Sequence, residues 1–282
     1  MAQIIKGDEI AKQITDNIKK EVSHLKRSPK LAVVLVGNDF ASEAYVRGKI
    51  KAGNRVGIDV EIIRFENDVA EDDVIRKIYE LNDSKTVDGI IVQLPLPNHL
   101  DETKLVNAVS VTKDVDGFTY YNAGRLFRGN PLINPCTPQG IMYMLKSENI
   151  ELSGKRAVVV GRSNLVGLPL ARLLTEADAT VTVCHSKTEN LKYITKDADL
   201  LFVAIGQSRF ITKEFVKEDA IVIDVGISRD ENNKLSGDVD FDDVFDKVSM
   251  SHSHCSWNDQ WFAQQRQLHF GADDYRCIDF NY

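Results

Sequence analysis

The run Val158-Val159-Val160-Gly161-Arg162-Ser163-Asn164-Leu165-Val166-Gly167-Leu168-Pro169 carries the architecture of this chain. A β-branched segment ends in glycine, a polar turn comes next, and an apolar helical pattern begins. A doubly wound sheet uses that order to hold a dinucleotide. Glycine lets backbone N–H groups approach a pyrophosphate, and the positive end of the next helix favours the anion. The glycines read G-x-S-x-x-x-G and not G-x-G-x-x-G, so the pattern alone also suits an ordinary strand–turn–helix. The strand after that helix narrows the choice. Its residues Thr180-Val181-Thr182-Val183 lead into Cys184-His185-Ser186-Lys187. An acid here would bond the ribose 2′-hydroxyl of NAD. The chain offers Ser186 and Lys187 instead, with Arg162 directly after the first glycine. Guanidinium and hydroxyl donors match phosphate oxygens, which points to a 2′-phosphate and hence to NADP. The alternative is a set of solvated loop cations.

The same strand–helix rhythm extends in both directions. Ile10, Ile14, Ile18 and Val22 recur at four-residue spacing and predict an amphipathic helix over residues 8–26. Leu31 to Val36 predicts a buried strand, and Ser42 fits the N-cap of a helix running to about Arg55. Ile58 to Phe65 predicts the next strand, Val74, Ile78 and Leu81 a helix, and Gly89 to Leu94 a third strand closed by Pro95 and Pro97. A loop-rich stretch runs from Lys113 to Pro138, and Thr137-Pro138 fits an N-cap with proline at the first helical position. From Lys155 the rhythm resumes through Leu200–Ala204 and Ala220–Asp224. These patterns predict an α/β protein of two α/β lobes, the second a Rossmann-like dinucleotide-binding domain, with a cleft between them. The expected division is 1–139, 140–250 and an atypical tail 251–282.

Composition excludes several classes. At 282 residues the chain suits two domains, and 43% hydrophobic with 27% charged residues is ordinary for a soluble globular protein. A net charge of −7 argues against a nucleic-acid surface. No apolar run is long enough to span a bilayer, and Met1 to Gly7 lacks the apolar core of a signal peptide. Cys136, Cys184, Cys255 and Cys277 lie far apart with no C-x-x-C, which indicates neither a zinc site nor a disulfide framework. His252, His254 and Cys255 are zinc-type residues without an evident partner pair, so no metal is expected. The default setting is reduced and cytoplasmic.

Candidate chemistry lies in the first domain. Tyr45 and Lys49 are four residues apart and share one helix face. An aromatic ring beside an amine can stack a flat heterocycle and move a proton, although a surface tyrosine over a solvated lysine has the same spacing. Gln93 stands where the third strand ends, just before Leu94-Pro95-Leu96-Pro97, and strand ends host ligands in open α/β sheets, although a simple polar strand terminus reads the same. Asp114 and Asp116 suit turn forming, or one of them suits an N–H-rich ring.

Ser42-x-x-Tyr45-x-x-x-Lys49, Val92-Gln93-Leu94-Pro95-Leu96-Pro97, Lys113-Asp114-Val115-Asp116-Gly117, Pro135-Cys136-Thr137-Pro138, Gly161-Arg162-Ser163, His185-Ser186 and Asp224-Val225-Gly226-Ile227 occur in one order. Together they resemble the bifunctional methylenetetrahydrofolate dehydrogenase/methenyltetrahydrofolate cyclohydrolase family, over residues 1–249. The resemblance implies hydride transfer from methylenetetrahydrofolate to NADP and hydration of the methenyl product to 10-formyltetrahydrofolate. It implies that Lys49 handles the proton with a depressed pKa, that Gln93 orients it, that Tyr45 stacks on the folate and that Asp116 accepts bonds from the pterin. Leu94 joins these four in the substrate site. Arg162 and Ser163 after Gly161, with Ser186, would hold the cofactor phosphates, and the Ile227 backbone would place the nicotinamide. A homodimer is implied as well.

The resemblance stops near residue 250. Similar chains continue with a Thr-Pro-Val-Pro-Gly-Gly-Val-Gly-Pro-Met-Thr loop and a closing helix, whereas this one reads Ser251-His252-Ser253-His254-Cys255-Ser256-Trp257. The abrupt shift suggests a foreign or frame-shifted tail. The expected costs are weakened catalysis and apolar surface left uncovered, at about 25 cal/mol per Å². Competing readings are therefore a catalytically impaired NADP-binding homologue, a non-catalytic nucleotide-binding or assembly module, and another two-lobed dehydrogenase acting on shikimate or an amino acid. The Tyr45, Lys49 and Gln93 set argues against the last.

Overall fold

The computed structural model describes residues 3–231 and 234–252. The elements run β1 (Gln3–Ile4), α1 (Gly7–Ser23), β2 (Lys30–Val36), α2 (Phe40–Val56), β3 (Asp59–Phe65), α3 (Glu71–Asp83), β4 (Gly89–Val92), α4 (Glu102–Ala108) and α5 (Tyr120–Phe127). They continue with α6 (Cys136–Ser147), β5 (Arg156–Val160), α7 (Gly167–Glu176), β6 (Thr180–Cys184), α8 (Leu191–Thr195), β7 (Leu200–Val203) and β8 (Ile221–Asp224). The last are β9 (Ser228–Arg229), β10 (Leu235–Ser236), α9 (Phe241–Val244) and β11 (Met250–His252). The described residues divide into two compact units, 12–134 and 3–11 with 135–252.

In the N-terminal unit β2 is the middle strand of a parallel sheet ordered β3-β2-β4. All but its first residue are buried, as a strand covered on both faces requires, and this is why Leu31 to Val36 is continuously apolar. β3 is an edge strand whose residues are mostly half-buried. The core behind β2 and β4 is built from Val34, Val36, Val74, Ile78, Ile90 and Leu105. The expected Val74, Ile78 and Leu81 stripe is the buried face of α3.

In the C-terminal unit six parallel strands are arranged in the order β1-β11-β8-β7-β5-β6. β5 sits between β6 and β7, so the chain leaves it first to one side and then crosses to the other. That reversal is the switch point at which doubly wound sheets bind ligands, beyond the strand C-termini. Val158, Val160, Leu201, Val203 and Val222 pack the core below it.

Several boundaries differ from expectation. The cap of α2 is Asp39, whose side chain accepts the Ser42 N–H at 2.8 Å; Ser42 lies inside the helix. The helix expected from Thr137 starts at Cys136 with Pro135 as its flanking residue. Pro138 is then the third helical residue, where a missing N–H costs nothing because the first turn has no internal acceptors. The stretch read as loop, 113–138, contains α5, a two-turn helix hidden by Gly124. Gln3 and Ile4 do not join the first domain as the 1–139 division expects. They pair with β11 in the other sheet, too short a strand to leave a periodic signal. β11 itself runs two residues into the stretch read as the tail, and residues 253–282 lie outside the described residues.

Candidate active site

Ser42, Tyr45 and Lys49 stand at i, i+3 and i+7 of α2 and share one face of it. Lys49 is 8% exposed, and its Nζ donates to Gln93 Oε1 at 2.9 Å. Gln93, equally buried, lies directly after β4 and is held twice. Its backbone N–H donates to Val34 O at 2.9 Å, and its side-chain amide donates to Leu94 O at 2.8 Å. That second bond fixes which amide atom faces Lys49: the nitrogen is engaged by Leu94, so the oxygen meets the amine. Leu94, expected as a substrate contact, gives its carbonyl to Gln93, and its peptide bond to Pro95 is cis. Burial pushes the Tyr45 phenol above its ordinary pKa, so it is a neutral hydroxyl at neutral pH.

Sequence reasoning gave Ser42 only a capping role. Its hydroxyl is fully buried with no hydrogen-bond partner among the described residues. A buried, unsatisfied hydroxyl is costly unless something else meets it. The signal was present in the spacing, since Ser42 shares the face of Tyr45 and Lys49.

Of the two acids left open by the sequence, Asp114 is the turn former. Its Oδ1 accepts from Gly117 N at 2.9 Å and Phe118 N at 3.2 Å, and its Oδ2 from Thr119 N at 2.9 Å and Asn122 Nδ2 at 2.8 Å. The segment also bridges β4 at Ile90, and Lys113 Nζ donates to Leu81 O and Ser84 O. Asp116 is therefore carried on a rigid turn, buried, two residues past the sheet bridge.

In the C-terminal unit Gly161 leaves β5 with φ +125°, a region L side chains rarely adopt. A Cβ there would overlap the Ala204 carbonyl oxygen, and one on Gly167 would overlap the Gly161 carbonyl. This tight, side-chain-free approach of three backbone segments is the cradle a pyrophosphate requires. Arg162, Ser163 and Ser186 are exposed around it. Ser163 Oγ accepts from Val166 N at 3.1 Å and Gly167 N at 3.4 Å, so it caps the start of α7, and its hydroxyl hydrogen is directed elsewhere. Lys187 N donates to His185 Nδ1 at 3.1 Å, and His185 N to Thr188 Oγ1 at 2.8 Å, which makes the turn bearing Ser186 a defined one. Ile227, half-buried, lies just beyond β8. Arg162, Ser163, Ser186 and the glycine cradle together fit a phosphorylated dinucleotide.

Residues 5–116 match the family model for the tetrahydrofolate dehydrogenase/cyclohydrolase catalytic domain, and residues 135–253 match its NAD(P)-binding domain. The bifunctional protein FolD of Lactococcus lactis subsp. lactis is 51% identical over 250 residues, covering 88% of this chain and 88% of that protein. The bifunctional enzyme FolD, methylenetetrahydrofolate dehydrogenase/cyclohydrolase, of Campylobacter jejuni superposes with a TM-score of 0.91 at 38% identity, over 94% of this chain and 96% of that one. The methylenetetrahydrofolate dehydrogenase-cyclohydrolase of Trypanosoma brucei, solved with NADP cofactor and inhibitor, gives 0.90 at 32%, over 95% and 96%.

Proposed function

Because the chain belongs to the tetrahydrofolate dehydrogenase/cyclohydrolase family, we propose that it oxidises 5,10-methylenetetrahydrofolate with NADP and hydrolyses the methenyl product to 10-formyltetrahydrofolate. The observation that carries this is the buried Lys49–Gln93 pair on the Ser42/Tyr45 face of α2. NADP, when bound, supplies the acceptor for the hydride that leaves the bridging methylene carbon. Tyr45 stacks on the folate rings, and Asp116 accepts N–H bonds from the pterin, a role supported by the engagement of Asp114 elsewhere. In the second step water adds to the cationic methenyl carbon, and its oxygen gives up both protons, one to solvent and one destined for the nitrogen that leaves. The ring C–N bond breaks, and the departing nitrogen takes a proton. Lys49 moves that proton, and Gln93, itself braced by Leu94, keeps the amine in place. In the other unit Arg162, Ser163 and Ser186 hold the phosphates beside Gly161, and the Ile227 backbone seats the nicotinamide.

The same proposal assigns folate chemistry to the N-terminal unit, 12–134, and dinucleotide binding to the C-terminal unit, 3–11 with 135–252. The matched stretches 5–116 and 135–253 support this. It includes a homodimer, on the strength of the family likeness, and a cytoplasmic setting, on the scattered cysteines. The alternative of an impaired NADP-binding homologue has no support in the comparisons.

The test is direct. With methylenetetrahydrofolate and NADP the chain should produce reduced nicotinamide absorbance and then 10-formyltetrahydrofolate. Lys49→Met should lower cyclohydrolase turnover by about 100-fold or more, the scale of a lost proton carrier. Full turnover in that variant would remove Lys49 from the mechanism.

A further inference from the structure

Two carboxylates outside these sites are buried at the C-terminal edge of the six-stranded sheet, and both accept bonds from main-chain N–H groups. Asp224 closes β8 and accepts from Asp238 N at 3.0 Å and Val239 N at 3.1 Å. Asp238 has no exposed surface. Its Oδ2 accepts from Ile205 N at 2.6 Å and Gly206 N at 3.0 Å, and its Oδ1 accepts from Gln207 N at 2.7 Å. On its other side lies Gly226, where an added Cβ would collide with the Asp238 carboxylate. One side chain is therefore bonded to the loop leaving β7 and packed against the loop leaving β8.

A buried carboxylate is costly unless donors meet it, and here three backbone donors converge on one. Its place in the sheet shows what it serves. A dinucleotide lies across the switch point with its adenosine ribose at the end of the strand that comes after the glycine turn, here β6. The ends of β7 and β8 are left to the nicotinamide half. We propose that Asp238 is a positioning residue for hydride transfer: by fixing Ile205–Gln207 against Val225–Ile227 it sets the shelf that seats the nicotinamide. This rests on the NADP-dehydrogenase reading above.

The experiment compares the full chain with Asp238→Asn, which keeps the volume but has one acceptor oxygen where three donors point. Binding is measured calorimetrically for NADP and for adenosine 2′,5′-bisphosphate, which lacks the nicotinamide. The variant should lose roughly ten- to a hundredfold in dehydrogenase kcat, the scale of about 1 Å of misplacement. It should also bind NADP more weakly, while the bisphosphate Kd stays within about twofold of the parent chain's. Unchanged kcat and NADP affinity would overturn the proposal, and so would equal losses for NADP and the bisphosphate, which mark a general structural role. If Asp238→Asn does not fold, Gly226→Ala pushes the same carboxylate off its seat from the other side and should give the same split. Full dehydrogenase activity in Gly226→Ala would overturn the proposal. A parent chain that neither binds NADP nor oxidises methylenetetrahydrofolate would overturn the functional reading, and this proposal with it; an active parent with an unaffected variant overturns this proposal alone.

Discussion

Gly161 shows how one residue can be required by space and conformation together. Its φ of +125° strains any side chain, and the Ala204 carbonyl occupies the volume a Cβ would need. Gly161→Ala is expected to weaken NADP binding by about tenfold or more, equivalent to about 1.4 kcal/mol. Fluorescence titration of the nucleotide checks this, and an unchanged Kd would mean that the turn is not the phosphate site. The two aspartates of Lys113-Asp114-Val115-Asp116-Gly117 make a complementary point. Both residue types suit a turn, and only the four N–H groups converging on Asp114 tell them apart. Tyr45, Lys49 and Gln93 were legible from spacing and strand position. That Lys49 and Gln93 form a buried hydrogen-bonded pair was not, because they are 44 positions apart and meet only through the fold.

Among elements, α2 carries most of the candidate chemistry, and its first turn depends on Asp39 accepting the Ser42 N–H. Asp39→Ala leaves that donor unpaired and is expected to cost about 1 kcal/mol of unfolding free energy. Urea denaturation monitored by circular dichroism measures it; a midpoint equal to the parent's would mean that solvent replaces the cap without loss. The periodic elements were readable because burial writes itself into sequence. Ile10, Ile14, Ile18 and Val22 are all buried on α1, and β2 is continuously apolar. Short elements were not. α5 has two turns and an internal glycine, and β1 is two exposed residues, so neither supplies enough positions for a period to appear.

At the scale of the whole molecule, buried charge makes stability depend on pH. Burial lifts the Asp224 carboxyl from an ordinary 3.8 to about 7, against the opposing pull of N–H bonds from Val239, Asp238 and Gly226; the neighbouring Asp238 raises it further. Between those values the folded chain keeps a proton that the unfolded chain has released, so stability from this group falls as pH rises and levels off above about 7. Asp224→Asn removes this dependence. The melting temperature of the variant minus that of the parent should therefore climb from pH 4 to 7 and stay constant above. A difference that is flat across this range would contradict the assignment. What the sequence alone determined was the alternation of strands and helices, the glycine turn after β5, the cationic and hydroxyl set around it, and the family those motifs share. Each of these is local, set by burial periodicity or by the backbone demands of a few adjacent residues. Tertiary structure decided the rest: that the first strand pairs with β11 in the C-terminal unit, that Gln93 holds Lys49, and that Asp238 bonds to one loop while packing against another. Such pairings depend on which distant groups close packing brings within 3 Å of one another, and that information is held in no single segment.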